Sequence, residues 1–297
     1  MHDTPPAVSN PHRPGDNYVQ SFARGLEVIR SFSASAPQQT LSEVAACTGL
    51  TRAGARRILL TLQTLGYLES DGRLFRLTPR ILDLGFSYLS SMPIWDLAEP
   101  MMEALAGRVH ESCSAAVLDG LDIVYVLRVH THKIMSINLA VGARLPAFWT
   151  SLGRVLLAAL PESELRERLT NLPRKSFTHL TVLDDETLLT RISDARTQGW
   201  CLVDQELEEG LISVAAPLRN RSGQVVAALN ISGQANRTSI EMLRERLLPE
   251  LLTTSEKFHA PSACACSHAD ALLISSHTER YGYQLYFGTA GLPKGRP

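Results

Sequence analysis

The sequence predicts an α+β protein of two domains: an N-terminal winged helix-turn-helix followed by a linker helix, then a C-terminal mixed α/β domain. Three observations predict it. Residues 40–66 read as a capped short helix, a glycine turn and an arginine-bearing helix. Residues 67–77 read as a short basic hairpin, and beyond residue 92 strand-like and helical patterns interleave.

Residues 1–16 contain Pro5, Pro6, Pro11 and Pro14 and almost no apolar side chains, too little to offset the entropy of ordering, so a disordered arm is expected. Over residues 21–33, Phe22, Leu26, Ile29 and Phe32 recur at three and four positions, the spacing of an amphipathic helix. Thr40 and Glu43 form a capping box ahead of Val44 and Ala45, and Gly49 ends that second helix by supplying positive φ. The third helix, residues 51–65, turns Ala55, Leu59 and Leu62 inward and Arg52, Arg56 and Thr64 elsewhere, with Gly66 as its stop. Asp71-Gly72 is a dipeptide favoured in two-residue hairpin turns and joins the two runs of the wing. Thr78-Pro79 reads as the N-cap and first residue of a helix that runs toward Leu89 until Met92-Pro93 interrupts it. These signals place the winged domain at 17–80, the linker helix at 81–92 and the second domain at 93–259.

The second domain opens with a helical pattern over 94–109 and strand-like runs at 114–118, 121–129 and 134–141, the first two joined through Asp119-Gly120. Helices are expected near 150–160, 162–170 and 185–198, then a hairpin of strands 211–218 and 224–231. A last helix opens on a capping box of Thr238 and Glu241 and carries Leu243, Leu247 and Leu251 on one face. Residues 260–297 show no periodicity to assign.

A chain of 297 residues with 44% hydrophobic composition supports two cores. The net charge of −1 does not mark the whole chain as a nucleic-acid binder, but residues 51–80 hold six arginines against Glu69 and Asp71 alone. That basic island coincides with the helix and the wing. Arg52 and Arg56 are therefore expected to reach base edges in the major groove of double-stranded DNA, Thr51 and Arg57 to touch phosphate or neighbouring bases, and Arg73 or Arg76 to hold the wing to the backbone. A solvated basic face is the plainer alternative for the arginines taken alone. Five scattered cysteines and no signal sequence point to a reducing cytoplasm, and no apolar run approaches the roughly 20 residues that a membrane span needs.

In the second domain, residues 142–158 form a loop running into a helix capped by Thr150, where the first amides, those of Ser151, Leu152 and Gly153, point out of the helix toward a site that favours an anion. An ordinary capped helix explains the same residues. Arg128 is expected to share a strand face with Val124 and Val126, and it either pairs with an acid or takes the carboxylate of a ligand. Asp204, Glu206, Glu208 and Glu209 precede the strand of Ser213, and Asn230 and Ser232 lie on the next, polar groups able to line a pocket or to face water. Cys201 near Asp204 invites an enzyme reading, a hydrolase or transferase with an accessory basic domain, yet no catalytic constellation accompanies it. Cys264-Ala-Cys266 with His268 lacks a second ligand pair at zinc spacing, so no metal and no cofactor are expected.

Residues 21–29, the recognition-helix stretch from Thr51, Arg144 to Ala158, and Gly199 through Pro217 to Ser232 together resemble the IclR family of bacterial regulators, in the branch that controls β-ketoadipate and related aromatic-acid pathways. The resemblance covers residues 18–258. It implies a winged helix-turn-helix, a linker helix and a GAF-like effector domain assembled as a dimer or dimer of dimers. It also implies effector contacts at Ser151, Leu152, Asp204, Ser213, Asn230 and Ser232, with a small organic acid as ligand.

Overall fold

The computed structural model describes residues 18–91, 94–130 and 140–260 and divides the chain into two compact units, 1–92 and 93–297. The expected arm, the Met92-Pro93 interruption, most of the strand expected at 134–141, and the tail with Cys264, Cys266 and His268 lie outside the described residues.

In the first unit, α1 (Gln20–Ser31), α2 (Leu41–Thr48) and α3 (Arg52–Thr64) accompany an antiparallel sheet of β1 (Gln38–Thr40), β2 (Leu68–Ser70) and β3 (Leu74–Leu77) in the order β1-β3-β2. Val28, Val44, Ala55 and Leu59 are fully buried, with Leu62 and Leu68 packed around them. Each large side chain among them contributes about 1.5–3 kcal/mol by leaving water. The capping box forms as expected: the Thr40 amide donates to Glu43 Oε2 at 2.7 Å and the Glu43 amide to Thr40 Oγ1 at 3.3 Å. Gly49 takes φ +65° where α2 ends, and Thr51 Oγ1 accepts from the Gly54 amide at 3.1 Å where α3 begins.

Three details differ from the sequence reading. β1 is a strand of polar residues that exists because β3 offers it a ladder, and Gln39, nearly buried, donates to the Ser31 carbonyl at 2.9 Å. The wing turn closes with the Asp71 amide on the Leu74 carbonyl, so Gly72-Arg73 is its central pair and Asp71 supplies a carboxylate to the Arg73 and Leu74 amides instead. Thr78 takes the N-cap position ahead of Pro79 as expected, but its side chain makes no capping bond. Its hydroxyl donates to the Gly66 carbonyl at 2.6 Å, closing the base of the hairpin, and a single 3-10 turn at Pro79–Ile81 leads into α4 (Leu82–Ser90).

The second unit is built on a seven-stranded sheet. Its strands are β4 (Ser112–Asp119), β5 (Asp122–Val129), β6 (Arg144–Pro146), β7 (Cys201–Asp204), β8 (Leu211–Asn220), β9 (Val225–Gln234) and β10 (His259–Ala260). The order is β10-β8-β9-β4-β5-β6, with β7 also paired to β8. α6 (Ser151–Leu157) lies across one face, and α5 (Ile94–Val109) and α10 (Leu248–Lys257) pack on the same strands, so alternate residues on both faces are buried. α7 (Glu162–Thr170) and α8 (Asp185–Gln198) complete the layer with α6, their Leu165, Leu188 and Ile192 joining its core. The last helix starts one residue later than expected, because Ser239 caps α9 (Ile240–Met242) while the buried Thr238 hydroxyl donates to Glu111 Oε1 at 3.3 Å. A π turn over Leu243–Leu247 then joins α9 to α10 and keeps Leu243, Leu247 and Leu251 buried.

Strand β5 carries a bulge that corrects the expected placement of Arg128. Ala115 pairs with Leu127 and Ala116 with Tyr125, leaving Val126 as the surplus residue. Beyond a bulge the alternation restarts one residue later. Arg128, opposite Ser114, therefore shares its face with Tyr125 and Ile123, not with Val124.

Candidate functional site

On the first unit, Arg52 and Arg56 stand one turn apart on an exposed stripe of α3, away from the buried Ala55, Leu59 and Leu62. Arg57 is rotated by about 100° from Arg56 on a helix of this pitch. It lines a groove between α1 and α3 with Phe22, Gly54 and Thr61. Thr51 spends its hydroxyl as an acceptor for the Gly54 amide. Arg73 is at the wing tip, where Asp71 accepts the Leu74 and Arg73 amides and its carboxyl is held below the ordinary range by those bonds. Arg76 faces Glu69 across the hairpin at 2.7 Å, both half exposed, so its charge is shared with an acid. Arg80, unassigned in the sequence, lies 5.6 Å over the ring of Tyr67.

On the second unit, the face under α6 encloses a small cavity with about 30 Å³ of free space. Its polar lining comes from Arg128 and Tyr125 on β5, Ser213 on β8, Asn230 and Ser232 on β9, and Thr150 and Ser151 at the start of α6. Leu145, Trp149, Leu152, Val203, Leu207 and Leu211 supply the apolar walls. Strand register explains the convergence. Ser213 pairs with Ser232, and Ser114 pairs with both Asn230 and Arg128, so the side chains of one face meet across four strands. Ser151 Oγ and Ser213 Oγ are 2.9 Å apart, and Asn230 Oδ1 accepts the Ser114 amide at 3.2 Å, which directs the carboxamide.

Arg128 is half-buried, and desolvation draws its guanidinium below the ordinary value; burial pushes the Tyr125 phenol up to about 12. The structure thus brings together Arg128, Ser151, Leu152, Ser213, Asn230 and Ser232. It does not bring Asp204 to them: Val203 faces the cavity from β7, and alternation turns Asp204 to the other side, where it accepts from Gln205 Nε2 at 3.1 Å.

The α6 wall depends on Gly153. A Cβ there would lie 2.0 Å from the Ala147 carbonyl oxygen, so only glycine lets the helix settle on the preceding turn. One feature went unread in the sequence: Arg154, fully buried, donates through both terminal nitrogens to Glu206 at 2.7 and 2.6 Å and through Nε to the Phe148 carbonyl at 2.9 Å. The available signal was a lone charge in the apolar run of α6, which demands a buried partner. Cys201 packs beside this pair, and burial pushes its thiol up to about 11, leaving it protonated and a poor nucleophile.

A winged helix-turn-helix with an exposed arginine stripe, joined in one chain to an α/β domain holding a polar-lined cavity, defines a ligand-responsive DNA-binding regulator. Residues 21–72 match the IclR helix-turn-helix domain and residues 86–260 match the bacterial transcriptional regulator IclR C-terminal domain. The chain belongs to the IclR family of transcriptional regulators. It is 43% identical to the Pca regulon regulatory protein of Pseudomonas putida over 258 residues, 84% of this chain and 89% of that one. It is similar to the crystal structure of a transcriptional regulator of Rhodococcus sp. RHA1, at 51% identity and a TM-score of 0.74 over 80% of this chain and 96% of that one. It is also similar to an IclR homolog from Microbacterium hydrocarbonoxydans complexed with 4-hydroxybenzoate, at 27% identity and a TM-score of 0.67 over 80% and 99%. The relatives are regulators and not enzymes, which sets the hydrolase or transferase reading aside. No described helix is long and apolar enough to cross a membrane.

Proposed function

We propose that this regulator binds an operator in double-stranded DNA and changes its hold on that DNA when the second domain takes up a small aromatic or dicarboxylic acid, so controlling genes for aromatic-compound breakdown. The observation that carries this is the convergence of Arg128 with Ser151, Ser213, Asn230 and Ser232 around one enclosed cavity, in a chain similar to a homolog complexed with 4-hydroxybenzoate. Arg128 takes the carboxylate, and the ring lies against Leu145, Trp149 and Leu152. The first-turn amides of Ser151 and Leu152, which have no intrahelical carbonyl to bond, add donors at the same wall. The serine hydroxyls and the Asn230 carboxamide read the remaining polar groups.

The size of the cavity supports a sensor. An aromatic ring needs something like the roughly 150 Å³ void known to admit benzene. The free space here is about 30 Å³, so uptake has to displace lining side chains, and a ligand that prefers the displaced arrangement shifts the population toward it.

In this reading Arg52 and Arg56 meet bases, Thr51, Arg57 and Arg73 meet the backbone, and Arg76 contributes less because Glu69 offsets it. Residues 17–80 act as the DNA-binding domain, 81–92 as the linker and 93–259 as the effector domain. A homodimer is supported by Phe22, Leu82 and Phe86, which leave 66–70% of their surface in water on α1 and α4, more apolar exposure than a lone subunit needs. The cytoplasm is where such a protein meets its operator.

Gel shifts with the DNA upstream of its own gene, repeated with protocatechuate, 4-hydroxybenzoate and β-ketoadipate, test the whole reading. Sequence-preferring binding at physiological salt that one of the acids alters is the expected result; the absence of sequence preference overturns it.

A further inference from the structure

Arg154 fixes two separate stretches of chain to α6. Through Nε it holds the Phe148 carbonyl, in the turn that carries Trp149 and Thr150 into the cavity. Through its other two nitrogens it holds Glu206, next to Leu207, in the segment that roofs the cavity and ends at Leu211. That roof is a closed loop: the Gln205 amide donates to the Leu211 carbonyl at 2.8 Å and the Gly210 amide to Gln205 Oε1 at 2.9 Å. The Thr181 hydroxyl holds the Glu206 carbonyl at 2.7 Å and the Thr178 hydroxyl holds the Gln205 carbonyl at 2.7 Å. The turn 147–150 lies outside the sheet ladder, and the loop 205–211 joins it only at Leu211, the first residue of β8. Arg154 is the side chain that bonds to both.

We propose that Arg154 and Glu206 are positioning residues of the effector cavity: their bidentate pair holds two walls, residues 147–150 and 205–211, at a fixed separation and so sets how long a bound acid is kept. The proposal rests on the effector reading only in the ligand arm of its test. A role confined to filling space fits the chemistry badly. Both charged side chains are at most 10% exposed, and an apolar pair of similar volume is often equally stable because it avoids their desolvation. What an apolar pair cannot reproduce is the direction imposed by a planar fork on a carboxylate.

The test replaces the pair in the full chain by Arg154→Met with Glu206→Leu, which removes both charges and leaves neither partner orphaned. Expected are a melting temperature close to or above the parent's and amide hydrogen exchange about tenfold faster at 147–150 and 205–211, with β8 and β9 unchanged. Dissociation of 4-hydroxybenzoate, followed by tryptophan fluorescence, should quicken by about tenfold. Parent-like exchange in both walls overturns the proposal, as does parent-like dissociation. If the double variant does not fold, Glu206→Gln, which keeps the shape and loses the charge, is read by the same exchange measurement with the same two outcomes. If the parent binds no 4-hydroxybenzoate, exchange alone decides the role of the pair, and the failure belongs to the choice of effector.

Discussion

Replacing Gly153 by alanine tests the geometry of the α6 wall of the cavity. The added methyl would stand 2.0 Å from the Ala147 oxygen, 2.4 Å from its Cα and 2.5 Å from its carbonyl carbon, where ordinary contact begins at 3.4 Å. The oxygen alone must retreat by 3.4 less 2.0, or about 1.4 Å, and all three obstacles are backbone. They cannot rotate aside as a side chain would, and Ala147, Phe148 and Trp149 are themselves buried. Overpacking of this kind costs typically about 1–3 kcal/mol, and backbone obstruction puts this case at the upper end. Alanine recovers about 1 kcal/mol of helix propensity over glycine. A net loss of about 2 kcal/mol remains, which for a unit of this size lowers the melting temperature by about 4–8 °C. Gly107→Ala is the control: it is exposed on α5 with nothing within 4 Å of the new methyl, so it should be neutral or stabilise by up to about 1 kcal/mol. Thermal unfolding followed by circular dichroism reads both. If Gly153→Ala is as stable as the parent, the turn and the helix do not approach as described, and the α6 wall of the cavity is misplaced with them.

Arg56→Ala should weaken specific DNA binding by about 1–3 kcal/mol and relax preference at one base pair, whereas Arg73→Ala should lower affinity for specific and random DNA alike and flatten the salt dependence. Binding of Arg56→Ala at parent strength would show that α3 is not the reading helix. Arg128→Met should reduce affinity for carboxylates more than for their neutral amides, measured by calorimetry; equal losses for the two would place the carboxylate elsewhere. The capping box should leave a pH signature. The amide and hydroxyl of Thr40 hold the Glu43 carboxyl below its ordinary value of 4.5. Its folded value being the lower one, its stabilising effect is complete above 4.5 and fades as pH falls through the folded value. The difference in melting temperature between parent and Glu43→Ala should therefore narrow on acidification below 4.5, and a constant difference would refute the assignment.

Local chemistry was the most legible part of the sequence. Thr40 with Glu43, and Gly49 at the end of α2, are interactions within a few residues, and each formed where the residue types placed it. Features that depend on a distant partner were not legible. β1 needs β3 to become a strand, β7 needs β8, and Thr78 and Thr238 gave up their capping roles to the Gly66 carbonyl and the Glu111 carboxylate. The residues that line the cavity fell between these cases. Ser213, Asn230 and Ser232 could be named from strand patterns and resemblance, but Tyr125 joins them only through the β5 bulge, and Arg154 needs Glu206, 52 positions away, to declare itself.

The surplus residue at Val126 is slack in the strand. Loss of one residue anywhere from 124 to 127 lets β5 pair with β4 in plain alternation, and Arg128 still turns inward opposite Ser114. A length change in an ordinary strand throws every later side chain onto the wrong face. Here a one-codon deletion spends the slack instead, and the cation stays at the cavity. A one-codon insertion finds no such reserve: plain alternation returns Arg128 to the face of Tyr125, but further along β4, opposite Ser112 instead of Ser114. Change of length in this strand thus has a direction, with contraction keeping Arg128 opposite Ser114 and growth carrying it past that position.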